Sequence, residues 1–164
     1  PAPAADRQTL LRRASFDLLG LPPTPEELER FARDEAPDAW EREIERLLAS
    51  PHYGERWGRR SLDLARSSDS NGLDENLALA HAWRYRDYVV RAFQQDKPYD
   101  RFVMEQLAGD LLPPASDPEA QRDQIAATGF LVLGPKMLAE QDKETLVMDV
   151  IDEQLDVAGK AFLG

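Results

Sequence analysis

Apolar residues recur at helical spacing along most of the chain, and short loops rich in Gly, Pro, Asn and Asp separate the repeats. Leu11, Ala14 and Leu18 share one face of a first helix, which Gly20 can end in a left-handed conformation. No segment shows the convincing alternation of a β-strand. The pattern therefore predicts an all-α fold of about seven or eight helices with irregular loops. We expect a linker over residues 1–5 and a single helical domain over residues 6–164.

The strongest local signal is the start of the second helix. Thr24 can cap the helix, Pro25 suits its first turn, and Glu27 can return the hydrogen bond of a capping box. A third helix follows from the repeat of Trp40, Ile44, Leu47 and Leu48, and five more are predicted after it. Their expected ranges are 54–66, 83–94, a helix capped by Asp100, 119–131 and 143–162.

The same spacing predicts which side chains of these later helices face inward. The expected inward residues are Trp57, Ser61, Leu64 and Ala65, then Tyr85, Val89, Ala92 and Phe93, then Val103 and Leu107, and last Val147, Val150, Ile151, Gln154, Ala158 and Phe162.

The net charge of the chain limits the kinds of partner that it is expected to bind. A net charge of −11 disfavours nucleic acid, because binding there depends on Lys and Arg replacing phosphate counterions. It equally disfavours anionic membrane surfaces. No apolar run is long enough to span a bilayer, which takes about 20 residues. The chain has no cysteine, so it cannot itself form a disulfide or attach a c-type haem.

The segment from His52 to Phe102 departs from the acidic average, and we name it the Arg/aromatic centre. It holds all four tyrosines and nine basic against eight acidic residues, whereas the rest of the chain has 11 basic and 23 acidic residues. Charged pairs at i, i+3 and i+4 are typical of exposed helix faces, but arginines among aromatic rings can also build a buried network or a ligand site. The residues in question are Arg56, Trp57, Arg59, Asp63, Arg66, Trp83, Arg84, Tyr85, Arg86 and Asp87.

Other candidate chemistry is sparse. Glu105 and Asp110 are the carboxylates most worth following for acid–base catalysis, since they lie in and just after the predicted sixth helix. Asp69, Asn71 and Asp74 present oxygen ligands at nearly alternating positions, but the segment departs from the EF-hand pattern and favours a plain turn over a metal site.

Several segments taken together resemble one family. They are residues 13–25 (RASFDLLGLPPTP), 47–57 (LLASPHYGERW), 62–66 (LDLAR), 82–89 (AWRYRDYV), 97–103 (KPYDRFV), 105–113 (EQLAGDLLP) and 127–130 (ATGF). This is similar to the domain of unknown function found upstream of the c-type haem motif in exported planctomycete cytochrome-type multidomain proteins. The likeness runs from about Leu11 to Gly164.

The resemblance implies an exported protein in which a haem-attachment motif follows the segment ending at Gly164. On that basis we expect the chain to be a piece of a larger protein, with no cofactor of its own and a c-type haem in the full-length protein. Its partners would be other domains of the same polypeptide, a redox partner or a polysaccharide. The resemblance carries over no catalytic residue, and the tract Leu79-Ala80-His81-Ala82 departs from the family's usual Pro and Asn.

Three functions are consistent with these observations. The favoured one is a non-catalytic helical scaffold that supports a haem attached beyond residue 164. An alternative is a domain that binds or processes carbohydrate or another anionic substrate through the Arg/aromatic centre. A further alternative is a module that binds a partner through helical faces. Whether the chain is an enzyme stays open, with the balance against it.

Overall fold

The structure is a computed structural model that describes residues 3–72, 76–137 and 140–164. These residues form eight α-helices and two short 3-10 turns, and the predicted all-α class is confirmed. The helices are α1 Arg7–Leu19, α2 Pro25–Arg33, α3 Ala39–Leu48, α4 Pro51–Leu64, α5 Trp83–Gln94, α6 Tyr99–Ala108, α7 Pro118–Ala127 and α8 Lys143–Phe162. The chain divides into two compact units, unit 1 over Pro1–Trp57 and unit 2 over Gly58–Gly164.

Unit 1 is built on the packing of α1 against α2 and α3. Its core consists of Leu11, Phe31, Ala39 and Leu47. Arg7 reinforces this packing, because its guanidinium lies over the Phe31 ring and donates to the Phe31 carbonyl at 3.0 Å. The start of α1 is thereby joined to the end of α2.

The predicted end of α1 and the predicted start of α2 are confirmed. Gly20 ends α1 with φ of 72°, a conformation that costs glycine little. The Thr24 hydroxyl accepts from the Glu27 amide at 3.2 Å, and the Glu27 carboxylate accepts from the Thr24 amide at 2.8 Å. These reciprocal bonds form the capping box and satisfy amides that the first turn leaves without partners.

Unit 2 places α5 at its centre, packed against α7 and the 3-10 turn Thr128–Leu131, and α6 packs against the same two elements. Tyr88 and Val89 are fully buried, and the Tyr88 ring stacks on Phe102 with centroids 5.9 Å apart. Helix α8 closes the core from its C-terminal half, where Val157 is buried and Phe162 packs on Phe130 at 5.0 Å.

The bounds of α5 and α8 agree with the predictions, whereas α4 and α7 differ. Helix α4 begins three residues early, at Pro51, and ends at Leu64. Helix α7 ends at Ala127 and continues as the 3-10 turn Thr128–Leu131. Gly129 allows this 3-10 turn to lie close to α5, because a Cβ at position 129 would be 3.1 Å from the Cβ of Tyr85.

Several predicted inward faces are rotated. Leu64 and Leu107 are 53% and 43% exposed, and Leu62 and Gln106 are buried instead. In α6 the rotation has a chemical reason, since the buried hydroxyls of Tyr85 and Tyr88 need acceptors and find them on Gln106 and Glu105. Asp100 is not the cap of α6; it lies in the first turn, and Pro98 occupies the N-cap position. The other misplaced residues are Leu48, Val147 and Ile151, which are exposed.

Candidate functional site

Two charged pairs of the Arg/aromatic centre lie on the surface. Arg59 contacts Asp63 at 3.0 Å within α4, with both side chains mostly exposed. Arg86 donates to its neighbour Asp87 at 3.0 Å in α5. The interpretation as exposed intrahelical pairs is confirmed for Arg59 and Asp63. Such pairs contribute little to stability, typically below 1 kcal/mol.

The aromatic residues of the centre have different neighbours in each unit. Trp57 in unit 1 lies beside Tyr53, with ring centroids 6.3 Å apart, and Arg56 is half-buried against Gly20. In unit 2, Trp83 is 46% exposed, and the Arg84 guanidinium lies 5.4 Å from its ring centroid. Arg84 and Trp83 therefore form a cation–π contact on the surface.

Arg66 differs from its predicted role as an intrahelical partner of Asp63. Helix α4 has already ended, and Arg66 takes a left-handed conformation with φ of 54°. Its side chain instead contacts the Glu153 carboxylate and donates to the Glu153 carbonyl at 2.9 Å. A residue after α4 is thus joined to the middle of α8.

Glu105, one of the candidate carboxylates identified in the sequence, lies buried in α6 and contacts three other side chains. It accepts from Arg101 at 2.8 Å, from the Tyr88 hydroxyl at 3.1 Å, and from the Lys97 ammonium. Lys97 also lies over the Tyr88 ring, 4.6 Å from its centroid. We call Glu105, Lys97, Arg101 and Tyr88 the Glu105 network.

The electrostatics of the network favour the ionised form of the Glu105 carboxylate. Burial by itself raises the pKa of Glu105, but hydrogen bonds from Lys97 and Arg101 outweigh it and hold the pKa below its usual value. Burial, together with the adjacent carboxylate, raises the pKa of Tyr88. An ionised Glu105 already shared by two cations is poorly suited to donate a proton near neutral pH. Asp110 lies apart from it, exposed in the 3-10 turn Gly109–Leu111.

A polar cleft of about 260 Å³ opens next to the Glu105 network in unit 2. Its basic end holds Lys97 and Arg101, and Asp117 and Glu119 at the start of α7 contribute acidic groups. Arg91 also lines the cleft and forms a two-bond contact with Asp123, which is buried. The remaining lining residues are Gln95, Glu105, Ala115, Ala120 and Gln124.

The sequence alone identified only some of the residues that line the cleft. Glu105 stood out because of its position, and its pairing with Arg101 follows the i, i+4 rule. Lys97 and Asp123 gave no such signal, since each meets its partner only through packing of α5, α6 and α7. Tyr88 was also missed, although its spacing from Tyr85 places both on one side of α5.

The candidate metal segment is described only in part, because Asp74 lies outside the described residues. Asn71 is buried, and its side chain accepts from the Leu77 amide at 2.6 Å and donates to the Lys136 carbonyl at 3.1 Å. Asn71 therefore closes the loop itself, while Asp69 is exposed. Within the described ranges, no group of three or more His, Cys, Asp or Glu side chains is arranged to hold a metal ion.

No helix among the described residues is long and apolar enough to cross a membrane. No curated protein and no solved structure matches this chain. One family does, the PSCyt2 family, described as a protein of unknown function (DUF1549), and the match covers residues 1–164. Since the match spans the full sequence, the chain belongs to the PSCyt2 family (DUF1549) of proteins of unknown function.

Proposed function

We propose that this chain is a non-catalytic helical scaffold within a larger, exported c-type-cytochrome-like protein, and that it supports a haem attached beyond residue 164. The observation that carries this proposal is the anchoring of the C-terminal half of α8. Val157 is buried, Phe162 packs on Phe130, and Gln154 donates to the Leu131 carbonyl at 3.2 Å. A segment attached to the end of this helix would be held in a defined orientation to unit 2.

The internal pairing of the charged residues supports the same role. Three cations of the Arg/aromatic centre contact groups of the protein itself: Arg59 and Arg86 contact carboxylates, and Arg84 lies over the Trp83 ring. Within the Glu105 network, the buried carboxylate of Glu105 is likewise paired with Lys97 and Arg101. Such networks can favour one packing arrangement of a core over others, which is what a scaffold requires.

The residues of this chain can support a haem only through non-covalent contacts. Covalent attachment needs cysteines, which the sequence lacks, so the attachment segment has to be elsewhere in the polypeptide. The exposed Leu163, directly after α8, could line one side of the group. The haem, when bound, would supply one-electron transfer.

The test is a pyridine haemochrome spectrum of the natural full-length protein, produced in a host that matures c-type cytochromes. We expect a covalent c-type signal, and its absence would remove the haem from the proposal. A second readout addresses the scaffold role. Phe162→Ala should change the Soret circular dichroism of the full-length protein, whereas Leu64→Ala, at an exposed position of α4, should not. Equal spectra for both variants would contradict a supporting role for α8.

A second candidate function is favoured by the cleft beside the Glu105 network. Two cations, Lys97 and Arg101, share the single carboxylate of Glu105, so these three side chains together keep one unit of positive charge. Asp117 and Glu119 can accept hydrogen bonds from hydroxyl groups. The cleft is smaller than the roughly 300–1,000 Å³ of typical ligand pockets, which suits a small acidic sugar.

This candidate predicts that glucuronate binds and that uncharged glucose binds at least about tenfold more weakly, as a charge-assisted contact of about 1.4 kcal/mol requires. Arg101→Gln should reduce glucuronate affinity, and Arg59→Gln, which changes an exposed arginine outside the cleft, should not. Ligand-detected NMR titration can measure these weak affinities. Equal binding of both sugars, or equal binding by both variants, would rule out the cleft as an acidic-sugar site.

A further inference from the structure

Helix α8 exposes a continuous row of large apolar side chains, which we call the α8 stripe. It consists of Val147, Met148, Ile151 and Leu155, whose exposed fractions are 56%, 55%, 40% and 67%. Their spacing of one, four and eight residues from Val147 places them along one side of the helix. With a rise of 1.5 Å per residue, the stripe is about 12 Å long, or slightly more than two helical turns.

The stripe is distinct from the side of α8 that faces the core of unit 2. The core side carries Val157 and the half-buried Gln154 and Glu153, which hold the helix to Leu131 and Arg66. At 100° per residue, the stripe is centred about a third of a turn away from those three residues. The packing of unit 2 covers helix α8 at Val157 and reaches the direction of the stripe only at Phe162, beyond Leu155.

One edge of the stripe is acidic. Asp149, Asp152 and Asp156 follow one another at spacings of three and four residues along the edge of the stripe next to Met148, and Asp156 also lies 3.8 Å from the Arg66 guanidinium. All three are exposed, and Asp156 contacts Lys160 at 2.8 Å. An apolar row bordered by carboxylates is complementary to an apolar row bordered by Lys or Arg.

We infer that the α8 stripe is a docking surface for an amphipathic helix whose apolar face is edged by basic residues. Such a helix would cover Ile151 and Leu155 with its apolar face and pair its cations with Asp149 and Asp152. A second copy of this chain is a poorer occupant, because antiparallel pairing of two α8 helices sets their acidic edges against each other. The net charge of −11 adds to that repulsion. The inference goes beyond the haem scaffold and does not depend on it.

The test uses the 164-residue chain and two synthetic probes, followed by fluorescence anisotropy. Both are helical 18-residue peptides with the same leucine seam, one edged by lysine and the other by glutamate. We expect the lysine-edged peptide to bind at least about tenfold more tightly, and this preference to shrink as salt screens the charges. Equal binding, or binding of neither peptide, would overturn the inference.

Two sets of variants locate the binding surface. Ile151→Ser with Leu155→Ser should weaken binding of the lysine-edged peptide at least about tenfold. The matched control is Leu64→Ser with Leu77→Ser. It also removes two exposed apolar side chains, but both lie outside α8, so it should leave binding unchanged. If the two double variants bind alike, the peptide is attracted only by the overall negative charge, and the inference fails.

Asp149→Lys with Asp152→Lys should reverse the preference in favour of the glutamate-edged peptide, and it keeps the apolar stripe intact. Analytical sedimentation of the unmodified chain, which measures its self-association, is the last test. Self-association that is abolished by Ile151→Ser with Leu155→Ser would show that a second copy occupies the stripe, and would overturn the choice of a basic partner. Circular dichroism verifies that each variant retains its helices.

Discussion

Glu105→Ala is expected to lower the free energy of unfolding by about 3–5 kcal/mol, the usual cost of removing one partner from a buried ion pair. The substitution leaves Lys97, which is mostly buried, without its carboxylate, and it removes an acceptor from Arg101 and from the Tyr88 hydroxyl. Urea denaturation followed by tryptophan fluorescence measures this loss as a lower midpoint with a similar slope.

The matched comparison is Asp63→Ala, which removes the carboxylate of the exposed Arg59–Asp63 pair. We expect a loss below about 1 kcal/mol there, since water screens the pair. Comparable losses at the two positions would show that the Glu105 network is not energetically special. Glu105→Gln should be intermediate, because the amide retains an acceptor but loses the charge.

The network also predicts the direction of the pH dependence. Because the folded state holds the pKa of Glu105 below its usual value, the stabilisation is present above the ordinary carboxyl pKa of about 4.3. It is lost as the pH falls through the lower folded value. Glu105→Gln should therefore flatten the acid limb of the stability curve, and an unchanged acid limb would contradict the assignment.

Gly109→Ala is the second change with a large expected effect, a loss of about 3 kcal/mol or more in the free energy of unfolding. A Cβ on Gly109 would lie 2.0 Å from the Gln124 carbonyl oxygen, and backbone atoms cannot move aside as a flexible side chain can. Gln124 is itself held in place, because its side chain bonds to Pro113 and Ala115. To admit one methyl group, α7 has to shift.

Gly159→Ala is the control, since it adds the same methyl group in the interior of α8 with nothing within 4 Å. Alanine there should raise the free energy of unfolding by about 0.5–1 kcal/mol, because glycine is the poorer helix former. Thermal unfolding distinguishes the two variants by the sign of the change in midpoint. A loss of stability in both would mean that the close approach of Gly109 to α7 is not the cause.

The sequence alone determined those features that depend on neighbours along the chain. The capping box of Thr24 and Glu27, the left-handed Gly20 and the bounds of α5 and α8 all follow from local backbone and side-chain chemistry. The all-α class follows from the helical repeat of apolar residues for the same reason. The pairing of Arg59 with Asp63 was equally predictable, because both residues lie on one turn of one helix.

Only the tertiary structure decided which charges are buried and which are exposed. Lys97 reaches Glu105, Arg91 reaches Asp123 and Arg66 reaches Glu153 through contacts between separate elements. The rotation of α6 has the same origin, since the tyrosine hydroxyls of α5 draw Glu105 and Gln106 inward. Helical periodicity predicts that a face is apolar, but packing determines which face is covered. Val147 and Ile151 of the α8 stripe are the clearest case: helical spacing predicts that they face inward, and they lie exposed in the fold.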